Sequence, residues 1–164
     1  MSEHTSRTAV VGIGNILMGD EGIGVKAVWA LERQSLAAGI ELFDGGTAFQ
    51  ALTGQLVDFD KLIIVDAVRG GEPPGTIYRL GLEDVLENKR QAQAQPGSLS
   101  PLSLHDVGVI EALMLERLAA TVSPGHVTSD RQSTVIIGIE PAKIELSMDL
   151  SPTLQHRLPV VVQT

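Results

Sequence analysis

Three side chains with metal-ligating and acid–base chemistry are spread along the 164-residue chain: Glu21, Asp66 and His105. Two carboxylates and one imidazole suit a borderline divalent ion such as Ni²⁺, Zn²⁺ or Fe²⁺, and they leave coordination positions for water or substrate. Their spacing is long and irregular, so they form a site only if the fold gathers them. The elements that carry them therefore decide the question.

Glu21 lies in "GIGNILMGDEGIG", which joins a predicted apolar strand to a predicted amphipathic helix. Acidic residues stabilise a helix N-terminus by about 0.3–1 kcal/mol each. Asp20 is the better candidate for capping the predicted helix, and Glu21 is the better candidate for a chemical role. On this segment alone, the structural role explains both residues best. The glycines resemble the start of a dinucleotide fingerprint, but Leu17 replaces the third glycine and two carboxylates would repel a pyrophosphate. The segment thus favours a cation over a nucleotide.

Asp66 follows four apolar residues in "KLIIVDAV", the clearest strand of the sequence. Burying an unpaired carboxylate is costly, so Asp66 either accepts hydrogen bonds from a nearby loop or acts as a ligand or acid–base group. We favour the second role. His105 opens a predicted helix, and its role depends on whether that helix start faces the carboxylates.

A third segment, Asp44-Gly45-Gly46-Thr47, follows the second predicted strand. It is either an ordinary tight turn or a stretch of bare backbone that a substrate peptide can approach closely. Both interpretations have equal support from the residues alone. With Asp20, these four residues form our predicted substrate-binding set.

Apolar runs alternate with segments of helical period, which predicts an α/β fold with a mostly parallel sheet. Because ligand sites in such sheets lie beyond the carboxyl ends of the strands, we expect the three segments to converge there. The link before Thr76 is too short for a helical crossover, so the strand that follows it should be antiparallel. The predicted strands are Thr8–Gly14, Ile40–Phe43, Lys61–Val68, Thr76–Leu80 and Ser133–Ile139. The predicted helices run from about Asp20 to Ala38, Phe49 to Leu56, Leu82 to Asn88 and His105 to Ala119; Lys89–Pro101 reads as a surface loop and the tail from Leu150 is ambiguous.

Composition limits the functional classes. Hydrophobic residues make up 43% of the chain, its net charge is −8 and it has no cysteine. These values argue for one globular domain over residues 1–164, and against disulfides, thiolate metal sites and a nucleic acid or anionic membrane partner. The N-terminus lacks a signal-peptide pattern and no apolar run is long enough for a membrane span, so we expect a cytoplasmic protein.

Four segments in order, "GIGNILMGDEGIG", "DGGTA", "LIIVDAV" and "SLHD", resemble the maturation endopeptidases of [NiFe]-hydrogenases. The resemblance extends from about Val10 to about Glu140. It implies a three-layer α/β/α sandwich around a small mixed sheet with one antiparallel strand. The end of the chain departs from the family pattern, because "LPVVVQT" stands where a longer C-terminal helix is usual.

The same resemblance places the family's metal-contacting acid, acid and histidine on Glu21, Asp66 and His105. It places the first acidic position of the "GDEG" motif on Asp20 and the family's glycine pair on Gly45 and Gly46. It implies a peptidase, described as aspartic-type or metal-dependent, that removes the C-terminal extension of a hydrogenase large-subunit precursor after nickel insertion. We expect nickel to be contacted in the precursor, with no permanent cofactor, by a monomer or weak oligomer.

Two other functions use the same residues. A non-catalytic nickel-binding or delivery module would bind the metal without releasing a peptide. A small-molecule metallohydrolase would hold a metal tightly in the isolated protein.

Overall fold

The computed structural model describes residues 6–85, 87, 103–104 and 133–164. Within these ranges the strands are β1 (Thr8–Ile13), β2 (Ile40–Gly46), β3 (Lys61–Arg69), β4 (Ile77–Gly81), β5 (Ser103–Leu104) and β6 (Ser133–Ile139). Five of them form a sheet in the order β2-β1-β3-β6-β4, and β5 pairs with the end of β3. The pairings of β2 with β1, β1 with β3 and β3 with β6 are parallel, so these four strands end at one common edge of the sheet.

The pairing of β4 with β6 is antiparallel, which confirms the prediction for the strand after the short link. The pairing of β5 with β3 is also antiparallel, which the sequence did not predict. A two-residue strand has no periodicity of its own, since only the neighbouring strand specifies it.

Helices cover both faces of the sheet and confirm the three-layer α/β/α architecture. They are α1 (Ile23–Leu31) and α3 (Pro152–Val161) on one face, and the short α2 (Thr53–Leu56) on the other, where residues 82–85 are also helical. Side chains alternate across each strand, so β1 supplies Val11 to one core and Val10 to the other. One core contains Phe49, Leu56 and Phe59, and the other contains Ile23, Val28 and Leu154.

Several predicted boundaries were wrong. The first helix begins at Ile23 and ends at Leu31, not near Asp20 and Ala38, because a separate 3₁₀ turn (Gly19–Gly22) precedes it. Strand β2 continues through Gly46, since pairing with β1 overrides the turn tendency of its two glycines.

The ambiguous tail is a helix. Ser151 accepts a hydrogen bond from the amide of Leu154, and Pro152 occupies the first turn, where its missing N–H costs nothing. Pro159 lies inside α3, although a proline usually ends a helix. It lies in the last turn, and the amide of Val162 still bonds to the carbonyl of Leu158.

The predicted loop Lys89–Pro101 and the predicted helix His105–Ala119 lie almost entirely outside the described residues. In the ranges that are described, every helix is too short or too polar to cross a lipid bilayer.

Candidate active site at the carboxyl edge of the sheet

Close backbone packing brings the 3₁₀ turn to the ends of β1 and β3. A Cβ on Gly24 would overlap the carbonyl oxygens of Val65 and Ile13, and one on Gly12 would overlap the carbonyl of Gly24. Only glycine allows the start of α1 to approach these two strands so closely. The glycines that resembled a nucleotide loop therefore dock a helix onto the sheet.

A further glycine positions Glu21 itself. Gly14 has φ +124°, a conformation that disfavours other residues, and a Cβ there would overlap the carbonyl oxygen of Glu21. The Glu21 residue is partly exposed. Within the described ranges, no hydrogen bond or ion pair engages its carboxylate. The turn thus presents beside the end of β1 one carboxylate that no described residue engages.

Asp66 lies in β3, directly after the residue that Gly24 contacts. Its side chain is 3% exposed, and its Oδ1 accepts a hydrogen bond of 2.8 Å from the amide of Ala67. The strand pairing places it beside Gly138 of β6. The sheet therefore holds a buried carboxylate in a fixed orientation next to the turn that carries Glu21.

Asp20 has different surroundings from Glu21. It is fully buried; its Oδ2 accepts bonds of 2.9 Å from the amides of Ala142 and Lys143, and its Oδ1 accepts one of 2.7 Å from the amide of Ser151. The expected helix cap was wrong, since Gly22 is the N-cap of α1. Asp20 instead ties the 3₁₀ turn to the segment 142–151.

The predicted substrate segment forms the end of β2. Asp44 is exposed and its Oδ2 accepts a bond of 3.1 Å from the indole of Trp29. Gly45 is buried, Gly46 has φ +45° and its carbonyl accepts a bond of 2.9 Å from the amide of Gly14. Thr47 is exposed just beyond the strand. The segment thus lies beside the loop that leads to Glu21, and its substrate-binding role stays a prediction.

His105 lies outside the described residues. The residue before it, Leu104, is the partner of Val68 in the antiparallel pairing of β5 with β3, two positions after Asp66. In the described ranges, no group of three His, Cys, Asp or Glu side chains could hold a metal ion. The three-ligand set is therefore untested, because one of its members is not described.

Sequence reasoning missed a third buried acid, Glu140, which directly follows β6. Its Oε2 accepts bonds of 2.6 Å from the Tyr78 hydroxyl and from the amide of Gly70. Burial, together with the bond to Glu140, raises the pKa of Tyr78 to about 12. The sequence did point to Glu140, because it follows an apolar strand in the way that singled out Asp66. Glu140 holds the turn after β3 against β4.

Comparison with known proteins identifies the family. The family model described as hydrogenase maturation protease matches residues 25–164. The chain is 33% identical over 156 residues to the hydrogenase expression/formation protein HupD of Thiocapsa roseopersicina, covering 94% of this chain and 63% of that protein. It is 33% identical over 151 residues to the hydrogenase 2 maturation protease of Escherichia coli, covering 91% and 82% of the two chains.

A solved structure agrees with the sequence comparisons. The hydrogenase maturating endopeptidase HybD from Escherichia coli superposes with a TM-score of 0.73 at 30% identity, covering 96% of this chain and 88% of that one. The chain thus spans less than two thirds of one curated relative and most of another. On the family match and on these identities, the chain belongs to the hydrogenase maturation protease family.

Proposed function

We propose that this protein is an endopeptidase that removes the C-terminal extension of a [NiFe]-hydrogenase large-subunit precursor after nickel has been inserted. The observation that carries the proposal is the packing of Gly24 against Val65, which sets Glu21 and Asp66 at one edge of the sheet. Family membership supports the reaction class, and the two carboxylates support the choice of a metal-bearing substrate.

Glu21, Asp66 and His105 would contact the nickel ion that the precursor carries. Two carboxylates side by side repel each other, and a divalent cation relieves that repulsion. The nickel is thus part of the substrate, and its presence positions the scissile bond against the carboxylates. Support for His105 comes from chain adjacency, because Leu104 pairs with Val68 close to Asp66.

The reaction adds one water molecule across a peptide bond. A carboxylate accepts a proton from the attacking water, the peptide C–N bond breaks, and the leaving amine takes up a proton. Glu21 is the better proton acceptor on geometry, since it is partly exposed and has no partner among the described residues, whereas the Asp66 carboxylate is buried and bonded to Ala67. Good orientation of the water and the bond can account for several kcal/mol of the barrier.

The segment Asp44–Thr47 would bind the extension. Strand β2 is at one end of the strand order, and its last residues lie beside the loop before Glu21. Bare backbone at Gly45 and Gly46 lets a peptide approach closely. Asp20 would serve this site by holding the 3₁₀ turn to the segment 142–151, since both its oxygens accept bonds from amides there.

The deciding experiment incubates the purified protein with nickel-loaded and nickel-free precursor and follows the released peptide by mass spectrometry. We expect release from the nickel-loaded precursor alone. Transfer of nickel without release would identify a delivery module. Tight stoichiometric metal in the isolated protein, with release independent of nickel in the precursor, would identify a different metallohydrolase.

A further inference from the structure

Three exposed apolar side chains lie next to the candidate active site: Leu17, Leu146 and Met148. Their exposed fractions are 49%, 85% and 64%. We name these three residues the apolar patch. Isolated exposed apolar residues are ordinary on a protein surface, but a cluster on one face indicates a contact surface.

The backbone places these side chains on one face. Met18 and Ser147 form a parallel bridge, in which the amide of Ser147 bonds to the carbonyl of Leu17 and the amide of Gly19 bonds to the carbonyl of Ser147. Met18 and Ser147 are partly buried, whereas their chain neighbours Leu17, Leu146 and Met148 are exposed. The bridge brings the two segments together, so the three exposed side chains lie on its outer side.

The patch is held in place by several contacts that fix the backbone. Asp20 bonds to three amides of the segment 142–151, and Lys26 Nζ donates a bond of 2.6 Å to the carbonyl of Met148. A backbone that is already fixed has little ordering entropy left to lose on binding, which favours affinity. The loop thus presents apolar groups that are about half exposed or more and whose backbone is positioned in advance.

The patch continues into the turn that bears Glu21. Leu17 and Met18 directly precede the 3₁₀ turn, and Gly19 belongs both to the turn and to the bridge. A protein substrate whose metal reaches Glu21 buries about 800 Å² of this chain, an area wide enough to extend from the turn to the patch. A second copy of this chain would have to seat its own patch here without any metal to bring to Glu21, so the precursor accounts for the position of the patch better.

We propose that the apolar patch is the docking surface for the folded large-subunit precursor, which contacts it through an apolar surface beside its C-terminal extension. This inference rests on the proposed function for the identity of the partner. Of the charged residues beside the patch, Lys143 and Glu145 form an ion pair 2.6 Å apart.

The test compares wild type with Leu146→Ser/Met148→Ser in two assays, binding to immobilised nickel-loaded precursor and steady-state cleavage. We expect the double variant to bind about tenfold more weakly or worse, with a matching rise in KM and unchanged kcat. Val160→Ser is the matched control, because Val160 is 42% exposed but lies near the far end of α3, roughly 13 Å along the helix from Ser151. Val160→Ser should leave both the binding affinity for the precursor and the KM unchanged.

Each outcome separates this inference from the proposed function. Wild-type binding that is weakened in the double variant, without cleavage by either protein, supports the docking surface and removes the endopeptidase assignment. Cleavage with equal KM in wild type and double variant overturns the docking surface and leaves the assignment intact. No binding by wild type, or a wild-type dimer in sedimentation velocity that the double variant loses, also overturns the docking surface.

Discussion

Asp20 and Glu21 are adjacent in the sequence, but they belong to two regions with different duties. Asp20 faces inward, fully buried, with three backbone amides bonded to its carboxylate. Glu21 is partly exposed in the turn that packs against β1 and β3, and it has no hydrogen-bond partner among the described residues. The comparison shows that an acidic pair at a strand–helix junction can divide into one residue that holds the framework and one that is left for chemistry.

The largest expected effect lies in the Glu21–Asp66 region. Glu21→Gln and Asp66→Asn keep the side-chain shape but remove the negative charge, so each should lower the rate of extension release by about 100- to 10,000-fold. His105→Ala should have a comparable effect. The readout is peptide release from nickel-loaded precursor.

Thermal unfolding of the same variants is the control. Glu21→Gln should unfold close to the wild-type temperature, because no hydrogen bond to its carboxylate is lost among the described residues. A Glu21→Gln protein that is stable and releases peptide at the wild-type rate would remove Glu21 from the mechanism.

For Asp20 we expect the opposite of Glu21, a large loss of stability. Asp20→Ala leaves three amides without their acceptor and should lower the free energy of unfolding by about 3 kcal/mol. Glu32→Ala, at an exposed acid that follows α1, should change it by less than about 0.5 kcal/mol. Urea denaturation measures both. Equal stability of the two variants would mean that Asp20 does not hold the framework.

The packing of Gly24 determines where Asp20 and Glu21 both lie, because it docks their turn onto the sheet. Gly24→Ala should destabilise the fold by about 1–3 kcal/mol, since the new Cβ meets backbone carbonyls that cannot rotate away. Gly54→Ala is its counterpart in α2, where nothing lies within 4 Å of the added Cβ. Alanine there should be neutral or stabilising by about 0.5–1 kcal/mol. Similar losses in both variants would contradict the packing account.

The smallest effect concerns the contact between Glu140 and Tyr78, in which a buried carboxylate again bonds to a backbone amide, as at Asp20. The folded state favours the neutral phenol, because the pKa of Tyr78 is about 12 against an ordinary value of 10. The contact therefore contributes fully to the free energy of unfolding below pH 10. It should be lost as the pH rises from 10 through 12. The stability difference between wild type and Tyr78→Phe, measured by urea denaturation, should therefore shrink over this range. A difference that stays constant from pH 8 to 12 would contradict the assignment.

The sequence predicted the α/β class and most described strands, because buried strands such as Lys61–Arg69 have unbroken apolar runs and clear ends. It failed where tertiary pairing overrides local preference. The segment with Gly45 and Gly46 could be a tight turn, but it continues β2, with Gly46 paired to Ile13 of β1. Asp20 was expected to cap a helix but bonds to amides more than a hundred residues away.

The site was predictable in part. Asp66 was visible as an acid after four apolar residues, although β3 continues three residues beyond it. Glu140 follows a similar apolar run and was missed. The proximity of the turn to β3 was not visible, since it depends on the absence of a Cβ at Gly24. The apolar patch was also hidden, because it arises from a bridge between two segments far apart in the chain.

The measurement that bears most directly on the central claim is nickel-edge X-ray absorption of the nickel-loaded precursor, alone and with the protein, frozen before the extension is released. If Glu21, Asp66 and His105 meet at the precursor's nickel, added oxygen and imidazole scattering should appear with wild type and weaken with His105→Ala. A nickel coordination sphere that is identical with and without the bound protein would contradict the account.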